Sequence, residues 1–87
     1  MISIACRSMA PTFTTKQGQY LAFIHAYIKL NRRPPAEADM QRFFRVTPPS
    51  VHRMVVELER LQLIRRQPGV ARSIELLVDR TLIPALE

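Results

Sequence analysis

One cysteine, two glycines and no tryptophan occur in 87 residues, and seven acidic side chains stand against thirteen basic ones. The lone Cys6 leaves no internal disulfide, and no Cys/His group has metal-ligand spacing, which argues against a stapled secreted fold and a zinc site. With so little glycine there is no phosphate-cradling loop, and no nucleophile–base or carboxylate pair stands out. No enzymatic activity, cofactor or small-molecule substrate is therefore expected. No run reaches the roughly 18 apolar residues of a membrane span, and residues 1–7 lack the charged lead and long apolar stretch of a secretory signal. A soluble, cytoplasmic protein of one small domain, without a membrane partner, is the expectation.

The excess is positive charge, a net +6, and it is concentrated. Residues 13–45 hold six basic and two acidic side chains, residues 46–72 five and two, and residues 73–87 one and three. A basic middle suits the phosphate backbone of a nucleic acid, because Lys and Arg gain affinity by releasing condensed counterions. A merely soluble basic surface would have the same composition.

Residues 1–12 show no periodicity and read as a flexible N-terminal arm. From Thr14 or Thr15 a helix is predicted to about Asn31, with Tyr20, Leu21, Ile24, Tyr27 and Ile28 on one face, Phe23 beside them and Gly18 in the first turn. Asn31-Arg32-Arg33-Pro34-Pro35 ends it, since the residue before a proline resists the helical conformation. A shorter helix is predicted from about Ala36 to Arg45. Glu37 and Asp39 lie near its positive end, Arg42 and Arg45 near its negative end, and Ala38, Met40 and Phe44 point inward. Thr47 then caps a third helix, with Pro48 or Pro49 where a missing N–H costs nothing. Val51, Met54, Val55, Leu58 and Leu61 recur at spacings of three and four as far as about Gln62. Two helices joined so tightly form a helix-turn-helix. After Gln62 come three short β-prone runs, 63–66, 67–72 and 73–77, with Pro68-Gly69 as a turn, which read as a hairpin.

The fold class is therefore mainly α with a small β-hairpin: a winged helix-turn-helix with a three-helix core plus a wing over residues 13–78. Residues 79–87 form a short apolar tail, whose Leu82, Ile83 and Leu86 either pack on the domain or meet a second copy.

Over about residues 13–77 the chain resembles the N-terminal DNA-binding domain of LexA-type SOS repressors. The resemblance is carried by Phe13-Thr14-Thr15-Lys16-Gln17, Tyr20-Leu21-Ala22-Phe23-Ile24, Pro34-Pro35, Ala38-Asp39-Met40, Leu58-Glu59-Arg60-Leu61-Gln62-Leu63-Ile64 and Ser73-Ile74-Glu75-Leu76-Leu77. Winged helices of the MarR type share the outline. The LexA-type family's base-reading segment resembles Ser-Pro-Asn-Ala-x-Glu-Glu, where this chain has Thr47-Pro48-Pro49-Ser50-Val51-His52-Arg53. Pro49 replaces the Asn, and His52 and Arg53 replace the two Glu. Glutamate accepts from cytosine whereas arginine donates to guanine, so the resemblance implies an operator different from the SOS box. That family also carries a self-cleaving peptidase with a Ser–Lys pair. None is found in these 87 residues, and inducible self-cleavage is not expected.

The residues expected to meet double-stranded DNA are Arg53 for a base, and Ser50 and His52 for a base edge or a phosphate. Pro49 lies in the same segment. Arg45 and Thr47 are expected at a phosphate near the helix N-terminus, where free N–H groups favour an anion. Arg65, Arg66 and Arg72, the last placed at the wing tip, are expected at the backbone or minor groove. Each has a plain alternative as solvated surface or, for Thr47, as a cap alone. His25 and His52 have no acidic neighbour in sequence, so neither a metal nor a catalytic role is expected. Phe43 is expected to be exposed unless it meets the tail or a partner. The functional expectation is a small, sequence-specific transcriptional regulator of repressor type. It would act as a homodimer, because one winged helix reads only a half-site. The alternatives are a winged-helix protein–protein interaction module and a non-specific DNA binder.

Overall fold

Thr14 starts the first helix through a reciprocal pair of hydrogen bonds. Its Oγ1 accepts from the Gln17 N–H at 3.1 Å, and Gln17 Oε1 accepts from the Thr14 N–H at 2.9 Å. The capping box fixes the entry of α1 (Thr15–Asn31) where the sequence placed it. The computed structural model describes residues 13–86; the expected arm lies outside them, apart from which α2 (Glu37–Phe44), α3 (Pro48–Arg60), β1 (Ile64–Arg65), β2 (Glu75–Leu76) and a 3₁₀ turn at Arg80–Leu82 follow.

Tyr20, Leu21 and Ile24 of α1, Met40 of α2, and Val51, Val55 and Leu58 of α3 are fully buried together. Leu63, Ile64, Ile74 and Val78 close this core from the side of the hairpin. Met54 and Leu61, expected on the same face, lie half-buried at its margin. Aromatic rings join α2 to α1. Tyr20 stacks on Phe44 with centroids 4.2 Å apart, and Phe23 meets Phe43 at 4.7 Å. Phe43 is thus one edge of an aromatic cluster, although 45% of its surface stays exposed.

The second helix departs from expectation in one respect. Ala38 faces out, and Asp39 takes an inward place beside Met40. The reason is a set of donors around its carboxylate: the Ala36 N–H at 2.8 Å, Arg42 at 2.6 Å and Arg72 at 2.9 Å. Burial pushes the Asp39 carboxyl up, but the Ala36 N–H and the two arginines outweigh it and hold the group below its ordinary value.

The hairpin forms as expected, from two strands of two residues each. Ile64 pairs with Leu76 and Arg65 with Glu75 in antiparallel register. Residues 66–74 form the loop between them, with the expected turn at Pro68-Gly69: the Val70 N–H reaches Gln67 O at 3.1 Å and Gly69 has φ 75°. The Ser73 hydroxyl ties the loop shut, accepting from the Gln67 N–H at 2.9 Å and lying 2.9 Å from Val70 O.

The tail returns to the start of α1. Ile83 packs against the core and the Gln19 side chain donates to Ala85 O at 2.9 Å. A Cβ at Gly18 would meet Pro84 Cγ at 2.9 Å and Phe13 Cε1 at 3.0 Å. Glycine at this position therefore permits a close approach. Leu82 and Leu86 remain exposed.

With little glycine available, other residues take left-handed backbone conformations. Arg32, Arg45, Gln62 and Arg72 all have φ between 55° and 62°. At the end of α3, the Leu63 N–H bonds to Leu58 O at 3.0 Å and the Gln62 N–H to Glu59 O at 2.9 Å. This is a Schellman arrangement with glutamine at the position glycine usually fills. Gln62→Gly is expected to stabilise the domain by about 0.5–1 kcal/mol, a rise of about 4 °C in Tm. Leu61→Gly, one residue earlier at φ −80°, should lower Tm instead. Thermal unfolding of the two variants checks the pair.

Candidate nucleic-acid interface

Three residues, Arg45-Val46-Thr47, connect α2 to α3, and Arg45 makes the bend with φ 56°. Thr47 caps α3. Its Oγ1 accepts from the Ser50 N–H at 3.4 Å, and its hydroxyl lies 3.0 Å from Ser50 Oγ. Pro48 and Pro49 occupy the first two helical positions and have no N–H. The amides of the first turn are thus absent or already bonded. Within the first turn, Pro48 and Pro49 offer no N–H, and the Ser50 and Val51 N–H groups bond to Thr47. Thr47 caps the helix, and Arg45 is exposed with no ion-pair partner among the described residues.

With Val51, Val55 and Leu58 turned inward, the opposite side of α3 presents Pro49, Ser50, His52, Arg53, Val56 and Arg60 to solvent. Arg53 has no ion-pair partner among the described residues. It lines a groove of about 320 Å³ with Ser50, Met54 and Glu57 of α3 and Lys16 and Gln17 from the first turn of α1. The acid in this groove, Glu57, is committed elsewhere: Arg60 binds both its oxygens at 2.5 and 3.1 Å and holds its carboxyl below the ordinary range. Arg53 and Lys16 remain as cations on one side of the domain. Lys16 was not singled out from the sequence, where it is only a residue of a helix's first turn.

His52 has an acidic neighbour after all. Glu37 lies 15 residues earlier in the chain, but its Oε2 is 3.4 Å from His52 Nδ1 because the helix-turn-helix sets the first turn of α2 beside α3. The same oxygen is 3.5 Å from Arg66 Nη1, and Arg66 Nε also reaches Glu59 at 3.1 Å. Arg66 therefore braces the base of the wing against α2 and α3. Arg65 pairs with Glu75 across the strands at 2.5 Å, with both side chains mostly exposed. Such pairs are worth little and exchange readily for a phosphate.

Arg72 corrects the sequence expectation most clearly. Its guanidinium is not at a free wing tip; Nη1 donates to Asp39 at 2.9 Å and to the Tyr27 hydroxyl at 3.0 Å, and the group lies 5.9 Å from the Tyr27 ring centroid. The left-handed backbone at Arg72 turns the side chain back toward the body of the domain. The Tyr27 hydrogen bond holds the Arg72 guanidinium above its ordinary value against the opposing effect of burial, with Asp39 adding to the rise.

Among the described residues no group of three or more His, Cys, Asp or Glu side chains is placed to hold a metal ion. No helix there is long and apolar enough to cross a membrane.

The family described as LexA DNA binding domain matches this chain over residues 8–73. The LexA repressor of Thermosipho melanesiensis is 39% identical over 73 residues, which is 82% of this chain and 37% of that protein. The LexA repressor of Thermosipho africanus is 38% identical over 63 residues, 72% of this chain and 32% of that protein. The LexA repressor of Bartonella quintana is also 38% identical over 63 residues, 71% of this chain and 27% of that protein. The chain spans about a third of the length of these relatives.

Proposed function

Because the chain belongs to the LexA DNA binding domain family, we propose that it binds double-stranded DNA at specific sequences and represses transcription by occupying them. The exposed side of α3 enters the major groove, where Arg53 donates to a guanine and Ser50 and His52 face neighbouring base edges. Arg45 and Lys16 meet the phosphates on either side, and Arg65 follows the backbone from the wing. Two copies bind the two halves of a symmetric site.

The observation that carries this reading is the state of Arg53: exposed on the outward side of α3 and without an acid partner among the described residues, while Arg60 occupies the neighbouring Glu57. A helix that keeps one of its two arginines unpaired has a donor ready for an external acceptor. The names of the curated relatives, all LexA repressors, support the regulatory role.

Selection of bound duplexes from a random pool at about 0.15 M salt tests the proposal. A recurrent motif is expected, palindromic with half-sites about 10 base pairs apart or a multiple of that spacing. A pool that stays random would leave only non-specific binding, and no retention at all would remove DNA as the partner. Arg45→Ala is expected to weaken binding equally on all sequences and to reduce the salt slope of log K by about one unit. Arg72→Ala should leave that slope unchanged, because its guanidinium already faces Asp39. Titrations at several salt concentrations distinguish the two.

A further inference from the structure

One oxygen of Glu37 ties three elements together. Oε2 lies 3.4 Å from His52 Nδ1 on α3 and 3.5 Å from Arg66 Nη1 at the base of the wing, while Glu59 of α3 holds Arg66 from its other side at 3.1 Å. An ionised carboxylate beside an arginine only accepts hydrogen bonds. The Nδ1 that faces it must carry the proton, and a neutral imidazole with Nδ1 protonated has a bare Nε2. The His52 side chain is 58% exposed, so the ring remains open to a ligand laid along α3.

Building on the DNA-binding reading above, we infer that Glu37 is a positioning residue for base recognition: it fixes His52 as a hydrogen-bond acceptor. An acceptor in the major groove selects a base that offers an amine, adenine N6 or cytosine N4, and rejects the carbonyl edge of guanine or thymine. Arg53, the next residue, has the opposite polarity and selects guanine. Adjacent side chains thus select opposite edges, and the polarity of one of them is set from a different helix. Without Glu37, His52 would place its proton on either nitrogen and accept either class of base.

The test has two arms, each on the whole chain. In the first, ¹⁵N-labelled wild type, Glu37→Ala and Glu37→Gln are compared by imidazole NMR without DNA at about pH 8, above the range in which histidine ordinarily titrates. The wild-type His52 is expected to carry its proton on Nδ1, and both variants are expected to show mixed tautomers. The glutamine variant keeps the size of the side chain, so the comparison survives if the alanine variant folds poorly. A wild-type proton on Nε2, or an unchanged Nδ1 tautomer in both variants, overturns the inference whatever the protein binds.

In the second arm the same proteins select duplexes from a random pool. The preference for an amine-bearing over a carbonyl-bearing base at one position of the motif is expected to fall roughly fivefold in the variants, the worth of one hydrogen bond, while the guanine selected by Arg53 is retained. A set tautomer in a protein that selects no motif overturns the sequence-specific reading and the base preference with it. A recurrent motif unchanged by either substitution overturns the role of Glu37 in recognition alone.

Discussion

Replacing Asp39 with alanine is expected to lower the unfolding free energy by about 3 kcal/mol, a large fraction of the roughly 5–15 kcal/mol typical of whole domains. The Asp39 side chain is only 9% exposed and accepts from the Ala36 N–H, Arg42 and Arg72 at once. Its removal uncaps α2, and it leaves the Arg72 guanidinium with the Tyr27 hydroxyl and the Pro34 carbonyl as its remaining partners. The loop of the wing would then lose its ion pair to α2 and keep only the neutral contacts of Arg72. Denaturant unfolding measures the cost, and a loss below about 1 kcal/mol would mean that the pair is no better than a surface contact.

The same carboxylate makes a signed prediction with pH. Its folded-state pKa is depressed, so its contribution is fully present above the ordinary aspartate value of about 4 and is lost as pH falls through the lower folded value. Asp39→Asn should therefore be less stable than wild type at neutral pH, and the gap should narrow in acid as Asp39 itself becomes protonated. A constant gap from neutral pH into strong acid would show that shape and not charge holds this site.

Arg53→Ala is expected to weaken binding to the selected operator by about 1–3 kcal/mol, roughly 5- to 150-fold, while binding to unrelated duplexes changes little. The reason lies in its surroundings. Among the described residues Arg53 has no carboxylate to give up on binding, so its donors cost little to redirect, whereas Arg60 would first have to leave Glu57. Arg60→Ala is the natural comparison and should have the smaller effect on the operator. Equal loss from Arg53→Ala on every duplex would demote the residue to a phosphate contact, and no loss would move the reading surface away from α3.

The ends of the helices were legible because local chemistry sets them. Thr14 with Gln17, Thr47 before two prolines, and Pro34-Pro35 after α1 act within a few residues of themselves, and the structure starts or stops helices at each. The core was legible for a related reason: burial of one face imposes a period of three to four, and Tyr20, Leu21, Ile24, Val51, Val55 and Leu58 obey it. The hairpin was less so. Its turn at Pro68-Gly69 was legible, but not how little of residues 63–77 pairs, which the Ser73 hydroxyl helps to decide by closing the loop onto Gln67.

By itself the sequence determined the element order, the buried faces and the outward side of α3, all of which follow from interactions between residues near one another in the chain. Tertiary structure alone decided which charges remain for a ligand. Asp39 and Arg72 are 33 residues apart, Glu37 and His52 15 apart, and Arg66 meets both Glu37 and Glu59. Whether an arginine faces solvent or a carboxylate depends on distances between elements, and no periodicity along the chain encodes them. Among the described residues Arg53 and Lys16 have no ion pair, and Arg72 has one, because the packing of α1, α2 and the wing sets Asp39 beside it.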